Sequence, residues 1–159
     1  MIERPNKENT IYLDTKGVDD LLKAMSDLPS IKVGVLGPKD RRNVTTDSNA
    51  TIGLEHEYGL NGKPMRSFLR MPLIKALGPA LEKSHAFTRD VLQKVLRDKS
   101  IVEWCKKIAI EAEGVIADAF DTGGFGEWPK WKNPNYTNNT GMILVDTQQL
   151  RNSITSEVK

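Results

Sequence analysis

The chain has 159 residues, of which 38% are hydrophobic and 28% charged, and its formal net charge is +2. This length suits a single domain, residues 1–159, with its own core, while the low hydrophobic fraction indicates a large solvated surface or burial completed in an assembly. A lone cysteine, Cys105, excludes an intrachain disulfide, and no apolar run reaches membrane-spanning length. We therefore expect a soluble protein made in the cytoplasm, with no membrane partner.

The N-terminal third predicts an arm, a helix and a clear strand. Residues 1–10 are polar and are expected to form a flexible arm, followed by a short strand at residues 11–13. In residues 18–28 the apolar positions recur at steps of three and four, which predicts one face of a helix. Residues 31–37 alternate with period two and are rich in β-branched side chains, which predicts a strand.

A polar loop and a short helix follow. Residues 38–49 are polar and predict a long loop or an extended hairpin. Residues 50–58 predict a helix capped by Ser48 or Asn49, and Gly59 is expected to end it in the left-handed conformation.

The middle of the chain is predicted to be helical. Residues 64–70 are expected to be extended, and a helical region after Pro72 is interrupted near residues 78–79, where Gly and Pro disfavour a helix. Ser100 and Glu103 form a capping-box signature at the start of the longest predicted helix, which runs to residue 120 with one broad apolar face. Cys105 lies on this face and is expected to be a buried, inert thiol.

The C-terminal part is expected to be irregular before it closes as a strand. Residues 121–142 are rich in glycine, proline and asparagine and predict a long loop that carries Trp128, Trp131 and Tyr136. Asp146 begins a second capping-box pattern ahead of a short helix, and residues 154–158 alternate as a strand would. The expected class is α+β, a small antiparallel or mixed sheet packed against a long helix and several shorter helices, with long loops.

The residues give little support to catalysis. His56 and His85 lie far apart and lack the close ligand spacing of zinc motifs, and there is no Gly-x-Ser-x-Gly sequence. The glycine-rich run at residues 123–126 lacks the Lys-Ser/Thr of a phosphate-binding loop. We therefore expect no enzyme, and no catalytic residue, metal or cofactor.

Basic residues are concentrated in the middle of the chain. Between Lys63 and Lys99 there are nine basic and three acidic residues. This excess fits a solvated helix face, or a surface that meets phosphate or an acidic partner. A basic nucleic-acid-binding module is therefore one alternative function.

Three segments share a pattern with a known family. Residues 52–69 contain His-Glu-Tyr-Gly at 56–59 and Pro-x-Arg-x-Phe-Leu at 64–69; residues 128–131 contain Trp-Pro-x-Trp; and residues 144–154 read L-V-D-T-Q-Q-L-R-N-S-I. In this order, around a helical middle, they resemble the tail-completion and virion-morphogenesis proteins of long-tailed bacteriophages. Tyr58 stands where the family has phenylalanine, and Gln148 where it has glycine.

The resemblance implies a small α+β neck or tail protein of the virion, made in the host cytoplasm, which assembles as a ring, usually sixfold, between the head connector and the tail tube. Its expected partners are further copies and other phage neck and tail proteins. A tail terminator, which caps the tube, is the alternative within the same class.

A ring subunit needs two different contact surfaces. Residues 55–69 and 128–150 are the candidates, and Arg66 is expected to pair with Glu55 or Glu57. The candidate interface residues are Glu55, His56, Tyr58, Arg66, Phe68, Trp128, Trp131, Asp146, Thr147 and Leu150. Lys39, Arg41 and Arg42 are expected to face DNA in the lumen.

Overall fold

A computed structural model describes residues 16–26, 28–41, 48–130, 143–144 and 148–159. Six α-helices, a short 3-10 helix and two strands occur in these ranges. In chain order they are α1 (Lys16–Ser26), β1 (Ile31–Val35), the 3-10 helix (Gly37–Asp40), α2 (Asn49–Tyr58), α3 (Arg70–Lys83), α4 (Arg89–Asp98), α5 (Ile101–Thr122), α6 (Gln149–Ser153) and β2 (Ile154–Val158). The predicted α+β class is confirmed.

The two strands form one antiparallel sheet between distant parts of the chain. Their register runs from Ile31 opposite Val158 to Val35 opposite Ile154. Ser30 and Lys159 extend the pairing with reciprocal backbone hydrogen bonds of 2.6 and 3.0 Å. An isolated two-stranded sheet is marginal in water, and here α5 packs against both strands. The strands predicted at residues 31–37 and 154–158 are confirmed, the first ending two residues earlier than expected.

The core lies around the C-terminal half of α5. Its buried residues come from five separate segments: Phe68, Ile116, Ala119, Phe120, Trp128, Leu144 and Leu150. The Phe120 ring lies 5.3 Å from that of Phe68 and 5.7 Å from that of Trp128, centroid to centroid, the second pair nearly edge to face. Such aromatic pairs add about 0.5–1.5 kcal/mol each beyond the area they bury. Phe120 therefore links the extended segment before α3 to the loop after α5.

Helices α2 and α5 form where the sequence predicts them. The Ser48 hydroxyl accepts a hydrogen bond of 3.1 Å from the Thr51 N–H at the start of α2, and Gly59 ends this helix with φ +69°. Helix α5 continues to Thr122, two residues beyond the predicted end, and buries the thiol of Cys105 as expected.

The predicted break at residues 78–79 is wrong, because α3 is continuous through Pro79. A proline ring disfavours helical geometry in the preceding residue mainly by clashing with its Cβ and N–H, and Gly78 has no Cβ. Gly78 and Pro79 are both exposed, as is Lys75, whose carbonyl loses its helical donor. Water can therefore satisfy the group that proline leaves unbonded.

The predicted capping box at Ser100 is also wrong. Ser100 makes no side-chain capping bond, and its φ of −97° and ψ of 30° lie outside the extended conformation that such a cap needs. Its N–H instead donates to the Val95 carbonyl at 3.0 Å, next to Lys99, which ends α4 with φ +50°. The Glu103 carboxylate pairs with Lys106 at 2.8 Å. The Ser100 N–H, which in a capping box would bond the Glu103 side chain, is thus already bonded to α4.

Several predicted features fall outside the described residues. These are the arm at 1–10, the strand at 11–13, residues 42–47 of the loop at 38–49, residues 131–142 and the capping residue Asp146. The part of the 121–142 loop that is described begins after Thr122 and includes a compact turn at residues 123–128.

Candidate functional site

A single carboxylate organises the segment that the sequence singles out. Glu57, buried near the end of α2, accepts hydrogen bonds from the Ser67 hydroxyl at 2.6 Å and from the backbone N–H groups of Phe68, Leu69 and Arg70 at 3.0, 3.0 and 3.1 Å. Helix α3 begins at Arg70 and has no side-chain cap from its own preceding residue, Leu69. Glu57 therefore caps α3 from another helix, where the positive end of the helix dipole favours a carboxylate.

The neighbouring glutamate folds the following loop back onto α2. Glu55 accepts a hydrogen bond from the Asn61 amide at 2.6 Å, pairs with the Lys63 ammonium, and its carbonyl accepts the N–H of Leu60 at 2.8 Å. The hydrogen bond from Lys63, followed by that from Asn61, lowers the pKa of the Glu55 carboxyl. The loop between α2 and the extended segment is thus fixed at its base.

His56 is buried beside this loop. Burial, reinforced by the charges of Lys63 and Arg66, lowers its pKa from 6.5 to about 4. Its Nδ1 has no hydrogen-bond partner among the described residues, and its carbonyl accepts the Arg66 N–H at 2.7 Å. His56 is therefore neutral at physiological pH and acts as part of the interior.

Arg66 joins the extended segment to the loop after α5. Its side chain is 0% exposed, and Nε and Nη2 both donate to the carbonyl of Pro129, at 3.0 and 2.9 Å. The Trp128 indole N–H donates to the Ser67 carbonyl at 3.2 Å. The predicted pairing of Arg66 with Glu55 or Glu57 is wrong, since these carboxylates bind the other groups described above.

A left-handed turn at residues 123–126, the glycine turn, positions Trp128. Its residues Gly123, Gly124, Phe125 and Gly126 have φ of +62°, +69°, +57° and +83°. A Cβ on Gly124 would lie 2.2 Å from the Trp128 Nε1, so only glycine lets the indole lie there. In the sequence this turn is visible as Gly-Gly-Phe-Gly, a run whose three glycines permit left-handed angles and which does not form a phosphate-binding loop.

The candidate interface residues fall into three groups. Arg66, Phe68, Trp128 and Leu150 are buried inside the subunit, as is His56. Tyr58 is 51% exposed and Glu55 half-buried. Trp131, Asp146 and Thr147 lie outside the described residues. The expectation that residues 55–69 and 128–150 form two separate surfaces is therefore wrong for the buried members, which contact one another.

The residues expected to face DNA are partly described. Lys39 and Arg41 are exposed, and their carbonyls accept hydrogen bonds of 2.9 and 3.3 Å from the buried Asn49 amide. Asn49 thus holds the backbone of this basic segment against the start of α2. Arg42 lies outside the described residues.

Three further findings bear on function. Comparison of the chain with protein-family models, curated proteins and solved structures finds no match. Within the described ranges, no group of three or more His, Cys, Asp or Glu side chains is placed to hold a metal ion. In the same ranges, no helix is long and apolar enough to cross a membrane.

Proposed function

We propose that this chain is a non-enzymatic structural protein of a bacteriophage neck or tail, which assembles as a ring and completes the tail at the head–tail junction. The observation that carries the proposal is that the three segments similar to the phage family meet in one place. The Arg66 guanidinium donates to the Pro129 carbonyl, and the Trp128 indole N–H donates to the Ser67 carbonyl. Leu150 lies in the same core as Phe68 and Trp128. A shared core gives a physical reason for these residues to occur together in one chain.

The backbone at Gln148 supports the proposal independently. Gln148 has φ +59°, a left-handed conformation that glycine adopts without a Cβ penalty. The phage family's closing motif has glycine at the position of Gln148. A chance resemblance of sequence letters would not require a left-handed residue at that position.

Exposed apolar residues at the end of α2 support an assembly role. Leu54 and Tyr58, one helical turn apart, are 53% and 51% exposed, and Leu60 and Met65 are exposed in the segment that follows. Clustered exposed apolar residues commonly mark interaction sites in soluble proteins. All four residues lie within residues 52–69, whose buried members hold the fold together.

Deletion of the gene from a phage that encodes it tests the proposal. We expect tails of normal length and filled heads that remain unjoined, and expression of the protein in trans should restore infectious particles. Overlong tails would indicate the tail terminator instead. Joined, infectious particles from the deletion would refute both.

The nucleic-acid alternative is tested with the purified chain. A binding module should shift duplex DNA at submicromolar concentration, and the affinity should fall steeply with salt because phosphate contacts release counterions. For a neck protein we expect no such tight binding by the subunit.

A further inference from the structure

An apolar hollow beside α5 is left open by the subunit. It has a volume of about 340 Å³ and lies between α5, α6 and the start of β2. The buried side chains of Ile116 and Phe120 form its floor, and Ile110 at its edge is 65% exposed. Gly114 also lines it, and a Cβ added to this glycine would meet no atom within 4 Å. We call this hollow the α5 groove, and an apolar side chain from outside the subunit can enter it.

The α5 groove is bordered by carboxylates that the subunit does not pair. Glu113 lines the groove, and the helical repeat places Asp118 on the opposite side of Gly114. Neither carboxylate has a hydrogen bond or an ion pair with a described residue. Arg151 also lines the groove, but its guanidinium is already paired with Asp121 at 2.8 Å. The groove therefore combines an apolar floor with two acidic side chains that can still bind cations.

Helix α4 carries the opposite combination. Leu96 is 41% exposed, with Arg89 two turns before it and Lys99 one turn after it. Three cations on this helix and its end, Arg89, Lys94 and Lys99, make no side-chain ion pair with a described residue, against one such carboxylate, Asp90. The exposed side of α4 is therefore an apolar side chain with a basic border.

Helix α4 does not fill the α5 groove of its own subunit. No residue of α4 lines this groove, and α4 borders a separate cavity of about 540 Å³, which Val91, Val95 and Trp104 help to line. Leu96 lines neither. A head-to-tail contact between identical subunits requires two different surfaces that complement each other. One chain carries such a pair, in shape and in charge.

We propose that Leu96 of one copy inserts into the α5 groove of a second copy, forming a head-to-tail contact repeated around an oligomer. Arg89 and Lys99 border Leu96 and face the unpaired carboxylates of the neighbouring copy, where opposite charges favour this register over others. The inference deepens the proposed function: it rests on that function for closure of the contacts into a ring, and it names the contact that the ring repeats.

Two single variants and their mixture test the apolar part of this contact, with association measured by analytical ultracentrifugation of the full chain. Gly114→Leu fills the groove, and Leu96→Glu replaces the inserted side chain by a carboxylate. Each variant alone should associate at least about 30-fold more weakly than the wild type, because a few central anchors dominate interface affinity. An equimolar mixture should form dimers, since Leu96 of the Gly114→Leu chain meets the open groove of the Leu96→Glu chain. Ile74→Glu, at a 70% exposed position on α3, is the matched control and should associate as the wild type does.

Charge reversal tests the polar border separately. One chain carries Arg89→Glu with Lys99→Glu, and another carries Glu113→Lys with Asp118→Lys. Each should associate at least about tenfold more weakly than the wild type, because like charges then face each other across the contact. A chain with all four changes should associate again, since every reversed border meets a reversed partner.

The fold of the variants is checked in the same samples. Gly114→Leu should melt at or above the wild-type temperature, because leucine favours a helix over glycine and the added Cβ has open space. A wild-type chain that stays monomeric at about 1 mM, where even weak contacts form, would overturn the inference. So would single variants that associate normally, a mixture that yields no dimer, or a fourfold charge reversal that does not recover association.

Failure of the inference and failure of the proposed function give different results. If Gly114→Leu assembles and restores head–tail joining in the gene deletion, the contact is wrong and the function stands. If the contact is found by ultracentrifugation but the gene deletion yields joined, infectious particles, the function is wrong and the contact stands.

Discussion

Removal of the buried Glu57 carboxylate should be among the most destabilising single changes where the end of α2 meets the start of α3. In Glu57→Ala, the Ser67 hydroxyl and the Phe68 N–H lose their acceptor in buried positions, and the N–H groups of Leu69 and Arg70 lose theirs at the start of α3. A buried donor left unsatisfied costs about 1–3 kcal/mol, and loss of a helix cap about 1 kcal/mol. Taking the low end for the two buried donors and adding the cap gives a loss of about 3 kcal/mol.

Urea denaturation followed by circular dichroism measures this loss. With a slope of about 2 kcal/mol per molar urea, the midpoint should fall by about 1.5 M with the slope unchanged. The matched control is Glu103→Gln, which removes an exposed ion pair with Lys106 and should cost under about 0.5 kcal/mol. A midpoint for Glu57→Ala equal to that of the control would refute the capping role.

Three further substitutions test separate parts of the structure. Between pH 6.5 and 4 the unfolded chain binds a proton at His56 that the folded chain does not, so the free energy of unfolding should fall as the pH drops through this window. His56→Gln removes this proton, and in urea titrations at each pH its loss of stability across the window should be smaller than that of the wild type by up to about 3 kcal/mol. Gly124→Ala should lower the free energy of unfolding by at least about 2 kcal/mol, because its Cβ would collide with the Trp128 indole. Gln148→Gly should raise the free energy of unfolding by about 0.5–1 kcal/mol, since glycine adopts φ +59° without strain.

Each of these has an outcome that contradicts it. The His56 prediction fails if wild type and His56→Gln lose stability in parallel between pH 6.5 and 4. Gly126→Ala is the control for Gly124→Ala, since it shares a positive φ but has open space around the added methyl group; equal losses would show that the indole contact is unimportant. A destabilised Gln148→Gly would show that the glutamine side chain contributes more than its backbone strain costs.

Local signals predicted several elements well. Period-two alternation located β1 and β2, and a Ser48 cap with a left-handed Gly59 bounded α2. These features depend on residues within a few positions of one another, so one sequence displays them. The long apolar face of α5 was predictable for the same reason.

The organisation of the candidate site was not predictable, because its contacts join residues far apart in the chain. The sequence predicts that Arg66 pairs with Glu55 or Glu57, whereas Glu57 caps α3 and Arg66 binds a carbonyl 63 positions away. From sequence alone, a charged side chain in an unusual motif is equally consistent with an interface residue and with an internal anchor. Burial decides between these, and Arg66 is fully buried.

The broken helix prediction has a different origin. Gly and Pro each disfavour a helix on their own, yet in the order Gly78-Pro79 the glycine relieves the clash that the proline would cause. The failed capping box at Ser100 likewise reflects a neighbour, since the left-handed Lys99 commits the Ser100 N–H to α4. In both cases a rule for single residues was overridden by the residue beside it.

Negative-stain electron microscopy of the purified protein mixed with tail tubes tests the proposed role most directly. The proposal predicts a ring at one end of each tube, the end that accepts a head, and no protein along the tube wall. Tubes with bare ends at saturating protein, or protein bound along the length of the tube, would contradict a role in tail completion.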